Sequence, residues 1–217
     1  MSCSAKVNKY ITRIIGSLIF CFPAIAFAHH PLGGSMPSNF SEGLLSGVGH
    51  PIIGLDHLAF IIAAGVLAWK IGKPALLLAS FIFATAIGSL LISFGTSFSF
   101  KEPLILLSVA LVGVALIRQK QLGDKLALFF FPLAGLLHGS AYGEAVVGAE
   151  ASPIIAYLLG FALIQFVIAY AAAQTIKLLS KGSEERFQYA RITGAVVLGV
   201  AATYGFEIVE SAIFATV

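Results

Sequence analysis

The 217-residue chain is 59% hydrophobic and only 11% charged, with a formal net charge of +3 and a mean hydropathy of +0.97. These values exclude an ordinary soluble globular domain. The small positive balance is carried in loops rather than in one patch, so it implies little about nucleic acid, and no nucleic-acid partner is expected. The expected fold is all-α, a polytopic transmembrane helix bundle in the lipid bilayer. Its apolar blocks approach the roughly 20 residues a helix needs to cross a bilayer, and they are too long for the strands of a closed barrel.

In chain order, residues 1–28 read as a leader. Lys6, Lys9 and Arg13 form a basic region, "IIGSLIFCFPAIA" an apolar core, and "AFA" a small-x-small cleavage site before His29. This is the pattern of a cleavable signal peptide; an uncleaved first transmembrane helix is the other reading. Cys3 and Cys21 both fall in the leader, so a mature chain starting at His29 has neither disulfides nor thiolate metal ligands. The mature domain, 29–217, then shows six apolar blocks at about 50–69, 74–96, 103–117, 126–141, 153–176 and 191–213. The third and fourth are short for a full span.

Orientation follows from the basic residues. With residue 29 outside the cytoplasm, the inner loops carry Lys70, Lys73, Arg118, Lys120, Lys125, Lys177, Lys181, Arg186 and Arg191, against Lys101 alone outside. Six spans with both mature termini extracytoplasmic, in a bacterial inner membrane, satisfy that bias.

On this map all five histidines lie in the outer half. The stretch "GVGHPIIGLDHLAF" buries His50, Asp56 and His57 in hydrocarbon at the outer end of the first span. His50 and His57, seven apart, share a face if the helix runs unbroken, and Asp56 could ligate or hold an imidazole tautomer. Pro51 suits a first helical turn, and Gly54 allows close approach to the backbone. Two histidines and a carboxylate without cysteine suit a divalent first-row ion. Satisfied interhelical hydrogen-bonders, or a proton relay, are the competing readings.

The second cluster is "LLHGSAYGEAVVGAE". His138 and Glu144 would face apart on a regular helix, so Gly139 and Gly143 suggest a break that folds them together. Tyr142 suits a ligand contact or the interfacial aromatic belt equally, and Glu150 a solvated loop. His29 and His30 fit an external capture site or a frayed terminus. Glu207 and Glu210 share a helix face in the last span, and Gln165 suits an interhelical hydrogen bond. The glycines of the first span, with Gly194 and Gly199, permit close helix packing inside one chain or between copies in a homo-oligomer.

"HPIIGLDH" and "LHGSAYGE", behind a leader ending before a histidine, resemble the HupE/UreJ family of membrane metal permeases over essentially the whole mature chain. The resemblance implies uptake of nickel or cobalt. It carries the first motif onto His50, Asp56 and His57 and the second onto His138 and Glu144. Many members have a histidine where this chain has Tyr142, and another in the fifth span, where Gln165 has no such neighbour. Fewer nitrogen ligands make cobalt, or a mixed oxygen and nitrogen site, more plausible.

The expected function is therefore secondary transport of Ni²⁺ or Co²⁺ as substrate, with no prosthetic group and no catalysis. The metal residues are His50, Asp56, His57, His138 and Glu144, with His29 and His30 for capture. The chain has no Walker motif and so no ATPase of its own. The alternatives are a membrane metalloenzyme using the same His/Asp site, or an assembly scaffold for a metalloenzyme in which the histidines are structural.

Overall fold

The computed structural model describes residues 35–96, 99–120 and 122–214. The expected leader, with His29 and His30, lies outside them. Among the described residues the chain is helical, with no strand. The helices are α1 (Phe40–Ile53), α2 (Leu55–Ile71), α3 (Pro74–Ser93), α4 (Lys101–Ile117) and α5 (Asp124–Tyr142), then a 3-10 turn (Gly143–Val146), α6 (Ala151–Leu179) and α7 (Ser183–Phe214). By length and composition α3, α5 with its 3-10 turn, α6 and α7 can each cross a membrane, and α1 with α2 forms a fifth candidate if taken as one broken span. α4 has only 17 residues.

The first span differs from its expected form. It begins ten residues earlier than the apolar block, where the Asn39 side chain accepts from the Glu42 N–H (3.0 Å) and Glu42 reaches back to the Ser38 N–H (2.8 Å). This reciprocal cap starts a helix in a stretch poor in large apolar residues. The helix then breaks, and α2 leaves α1 at 82°. Pro51 sits in the last turn of α1 rather than a first turn, and removes a backbone donor there. Gly54 is extended (φ −76, ψ 102). Its N–H ends α1 on the His50 carbonyl (3.3 Å), and its own carbonyl accepts from Leu58 N–H (2.8 Å) to start α2. The shared helix face expected for His50 and His57 is therefore replaced by a corner.

α2 is the central post. Phe60, Ile61, Ala63, Ala64 and Ala68 are wholly buried, as expected for a helix apolar all round. Large apolar side chains such as Phe83, Phe129, Leu159 and Leu163 point outward instead, the inverse of a water-soluble surface. Between helices in lipid there is little hydrophobic drive, so association rests on close packing of small residues. Gly65 of α2 lies against the Ala169 carbonyl of α6, and Gly139 of α5 against the Thr85 carbonyl of α3. Gly113 of α4 and Gly194 of α7 each face the other's carbonyl. The contact of Gly194 is thus inside the chain, while a Cβ on Gly199 would meet nothing within 4 Å.

The basic residues gather at one end. Gly72, in the left-handed conformation (φ 87), closes α2. Just before it, Lys70 Nζ donates to the carbonyls of Ala115 (3.1 Å), Leu116 (3.2 Å) and Arg118 (2.7 Å) at the end of α4. Lys73 pairs with Asp124 at the start of α5, and Arg186 of α7 lies over the Trp69 ring. Lys101 and Glu144 pair near the opposite end.

Candidate metal centre

The break at Gly54 turns His50 and His57 toward the middle of the bundle from two helices, and α5 brings His138 to meet them. All three are buried, at 5%, 6% and 0% exposure. His57 Nδ1 and His138 Nδ1 lie 2.8 Å apart. The Tyr142 ring fills the space beside them, 5.1 Å from the His50 ring and 4.6 Å from the His57 ring between centroids. Phe60 covers His138 at 4.2 Å.

Two hydroxyls orient the imidazoles. Ser108 Oγ on α4 donates its one proton to the Ile105 carbonyl (2.6 Å), so towards His138 Nε2 (2.9 Å) it is an acceptor. His138 therefore carries its proton on Nε2 and turns an unprotonated Nδ1 towards His57. Tyr157 on α6 likewise donates to the Tyr142 carbonyl (2.9 Å), and its oxygen accepts from His50 Nδ1 (3.0 Å). Partners of this kind fix which nitrogen is presented to a metal. Neither Ser108 nor Tyr157 figures among the residues expected from sequence. Each is a lone hydroxyl in an apolar block, a pattern that fits an ordinary intrahelical bond equally well.

Asp56, in the first turn of α2, is 8% exposed, and its Oδ1 has no hydrogen-bond partner among the described residues. The Tyr142 hydroxyl is buried in the same condition, within electrostatic reach of Asp56. Buried polar atoms are normally paired, so two orphans beside three imidazoles mark a place where something charged can be accommodated. Among the described residues, however, no three His, Cys, Asp or Glu side chains stand close enough to grip one ion together. The centre holds one facing pair of imidazole nitrogens with further polar groups nearby.

The other expected residues lie apart from it. α5 runs unbroken to Tyr142, and its glycines serve packing against α3 rather than a fold-back. Glu144 is half exposed on the following 3-10 turn and pairs with Lys101, so it is not brought to His138. Tyr142 is wholly buried rather than at an interfacial belt. Gln165 donates to Phe161 O of its own helix (3.3 Å), not across helices. Glu150 and Glu210 are exposed and Glu207 is half-buried.

A helical bundle with membrane-length apolar helices and histidines converging in its buried interior defines a polytopic membrane protein with an intramembrane polar centre. The chain belongs to the HupE/UreJ family: residues 17–204 match the family described as HupE / UreJ protein. It is 28% identical over 170 residues to Protein HupE of Rhizobium leguminosarum bv. viciae, an alignment covering 73% of this chain and 84% of that protein. No solved structure matches it.

Proposed function

We propose that the protein is a permease that takes up a divalent transition-metal ion, nickel or cobalt, across the bacterial inner membrane. The observation that carries this reading is the facing pair of Nδ1 atoms, 2.8 Å apart in a buried site. Two nitrogens each about 2.1 Å from one ion, at a right angle, lie roughly 3 Å from each other. The ion would displace the proton shared by the rings and sit to one side of the line between the two nitrogens, with the rings turning their lone pairs towards it. His50, the Asp56 carboxylate and Tyr142 belong to the same buried centre and would complete the shell by moving towards this seat. An incomplete cage suits a substrate that must leave again, as conduction needs binding strong enough to enter and weak enough to release.

The chain would cross the membrane six times, with α1 and α2 as one broken span and both mature termini outside. The cluster of Lys70, Lys73, Arg118 and Arg186 would then face the cytoplasm. The Asp56 charge offsets part of the cost of placing a dication in low dielectric. The inside-negative potential would favour inward movement by about 2.3 kcal/mol per charge per 100 mV. His29 and His30 would capture the ion outside, while Glu144, paired with Lys101, would serve the entrance rather than the seat.

The test is uptake of radioactive nickel and cobalt into proteoliposomes by wild type, His57→Ala and His138→Ala. Loss of uptake in both variants is expected. Undiminished uptake in both would remove the proposed seat.

A further inference from the structure

Two glycine-bearing motifs of this chain recur in related form. "GLLSG" (43–47, α1) recurs as "GLLHG" (135–139, α5), and "ASFIFATAIG" (79–88, α3) recurs as "ASPIIAYLLG" (151–160, α6). The contacts recur with the sequence. A Cβ on Gly43 would meet the Pro153 carbonyl, and one on Gly135 the Phe81 carbonyl. Gly47 faces the Tyr157 carbonyl as Gly139 faces that of Thr85, and Gly160 faces the Leu44 carbonyl as Gly88 faces that of Leu136. Every partner holds the same place in its motif. The helix pairs α1–α6 and α5–α3 are therefore one unit in one register, built twice.

The two units point in opposite directions. α3 and α5 both start at the basic end, where Lys73 meets Asp124. α6 starts at the other end, beside Tyr142 (through Tyr157), and descends along α2 past Gly65 and Ala169. α1 runs with α6, as the order Gly43–Pro153, Gly47–Tyr157 requires. The relation is an inverted repeat about an axis across the bundle. α2 has no counterpart, since α5 passes to α6 through a 3-10 turn and a short loop. The helix that brings Asp56 and His57 is thus an addition to one half.

The axis passes through the histidine centre. Three residues beyond "GLLSG" stands His50, and three beyond "GLLHG" stands Tyr142; their rings are in edge contact, 5.1 Å between centroids. Residues related by a two-fold touch only where they lie close to it. Sites at the interface of inverted repeats can be exposed to either side by rocking one repeat against the other.

We propose that α1–α6 and α5–α3 are equivalent arms that rock against the central α2, opening the centre alternately to the two faces of the membrane. This deepens the permease reading and rests on it. The cavity at the basic end, lined by Trp69, Lys70, Arg186 and Phe187, and the one near the opposite end, lined by Ile92, Lys101 and Glu144, both stop short of the histidines.

The experiment uses the full chain with Cys3→Ser, Cys21→Ser and Ser46→Cys. Ser46 is buried at 2% exposure and holds in "GLLSG" the place of His138 in "GLLHG". A membrane-impermeant cationic methanethiosulfonate is applied to right-side-out and to inside-out vesicles, with and without Ni²⁺ or Co²⁺. Labelling from both faces is expected, with the ion raising one rate and lowering the other. Labelling from one face only, or from neither, overturns the proposal. Labelling from both faces that neither ion alters keeps the rocking arms and counts against the metal reading alone.

A second comparison guards against a misfolded cysteine variant. His50→Tyr should lower binding of the metal by roughly tenfold or more, and adding Tyr142→His should restore most of it, because the exchange moves each side chain to its symmetry-related place. A double variant that elutes as a single species but binds no better than His50→Tyr would also overturn the proposal.

Discussion

His57 and His138, 81 residues apart in the chain, meet through their Nδ1 atoms at 2.8 Å across the contact of α2 with α5. Since His138 Nδ1 is the acceptor, His57 must donate when no ion is present. Removing either ring leaves a buried nitrogen without its partner, at a cost of about 1–3 kcal/mol. His57→Ala and His138→Ala should therefore each lower the melting temperature in detergent. The double variant should lose less than the sum of the two, because both changes break one interaction. Added Ni²⁺ or Co²⁺ should raise the wild-type melting temperature, by the equivalent of about 2.7 kcal/mol at a hundred times Kd, and leave all three variants unmoved. Calorimetric melting scans of the four proteins check both statements.

Ser108 sets the tautomer of His138 from α4. Ser108→Ala removes the acceptor and frees the ring to protonate on Nδ1, the nitrogen that faces His57. Outer partners of this kind typically change metal affinity by about 10–100-fold. A loss of that size is expected by titration calorimetry, with the helical content unchanged. Affinity equal to wild type would mean that the hydroxyl serves packing only.

Gly54 is the corner on which the site turns. A Cβ there would lie 2.8 Å from His57 Cδ2 and 3.4 Å from Asp56 Oδ1. Gly54→Ala should push the His57 ring out of place at a cost of about 1–3 kcal/mol, as overpacking usually does. Metal binding should weaken well beyond what the stability loss explains. Parallel measurement of the melting temperature and the binding constant separates the two effects. Gly199→Ala, with nothing within 4 Å of its Cβ, is the matched control.

The sequence marks the class of fold and half of the centre for plain reasons. Apolar block length shows helices and membrane, and a histidine or aspartate in hydrocarbon is conspicuous wherever it falls. The corner at Gly54 was not legible, because apolar residues continue through it. A proline reads as a first helical turn or a last one depending on where the cap is, and the Asn39 cap lies outside the apolar block. Gly139 and Gly143 read equally well as a fold-back that brings Glu144 to His138; in the structure their missing side chains admit the backbone of α3. Ser108 and Tyr157 were invisible because a single hydroxyl in an apolar run usually bonds its own helix. Only the third dimension brings an imidazole to it.

Asp56 and Glu144 are both carboxylates from the two motifs, and their surroundings set their roles apart. Glu144 is half exposed and paired with Lys101, an arrangement worth little in stability. Glu144→Gln should leave both the melting temperature and nickel or cobalt binding within about twofold of wild type. Asp56 is buried with one oxygen unpartnered among the described residues. Its place in the first turn of α2 gains about 0.3–1 kcal/mol from the helix dipole, which offsets only part of the several kcal/mol needed to bury a charge. Asp56→Asn removes that charge without changing the shape. It should raise the melting temperature of the metal-free protein while abolishing the further rise that the ion produces in wild type. A stabilised protein that no longer binds is what a carboxylate kept for a cation predicts. Melting scans of Asp56→Asn with and without Ni²⁺ decide the point: a variant less stable than wild type, or one still stabilised by the ion, assigns Asp56 to the structure rather than to the substrate.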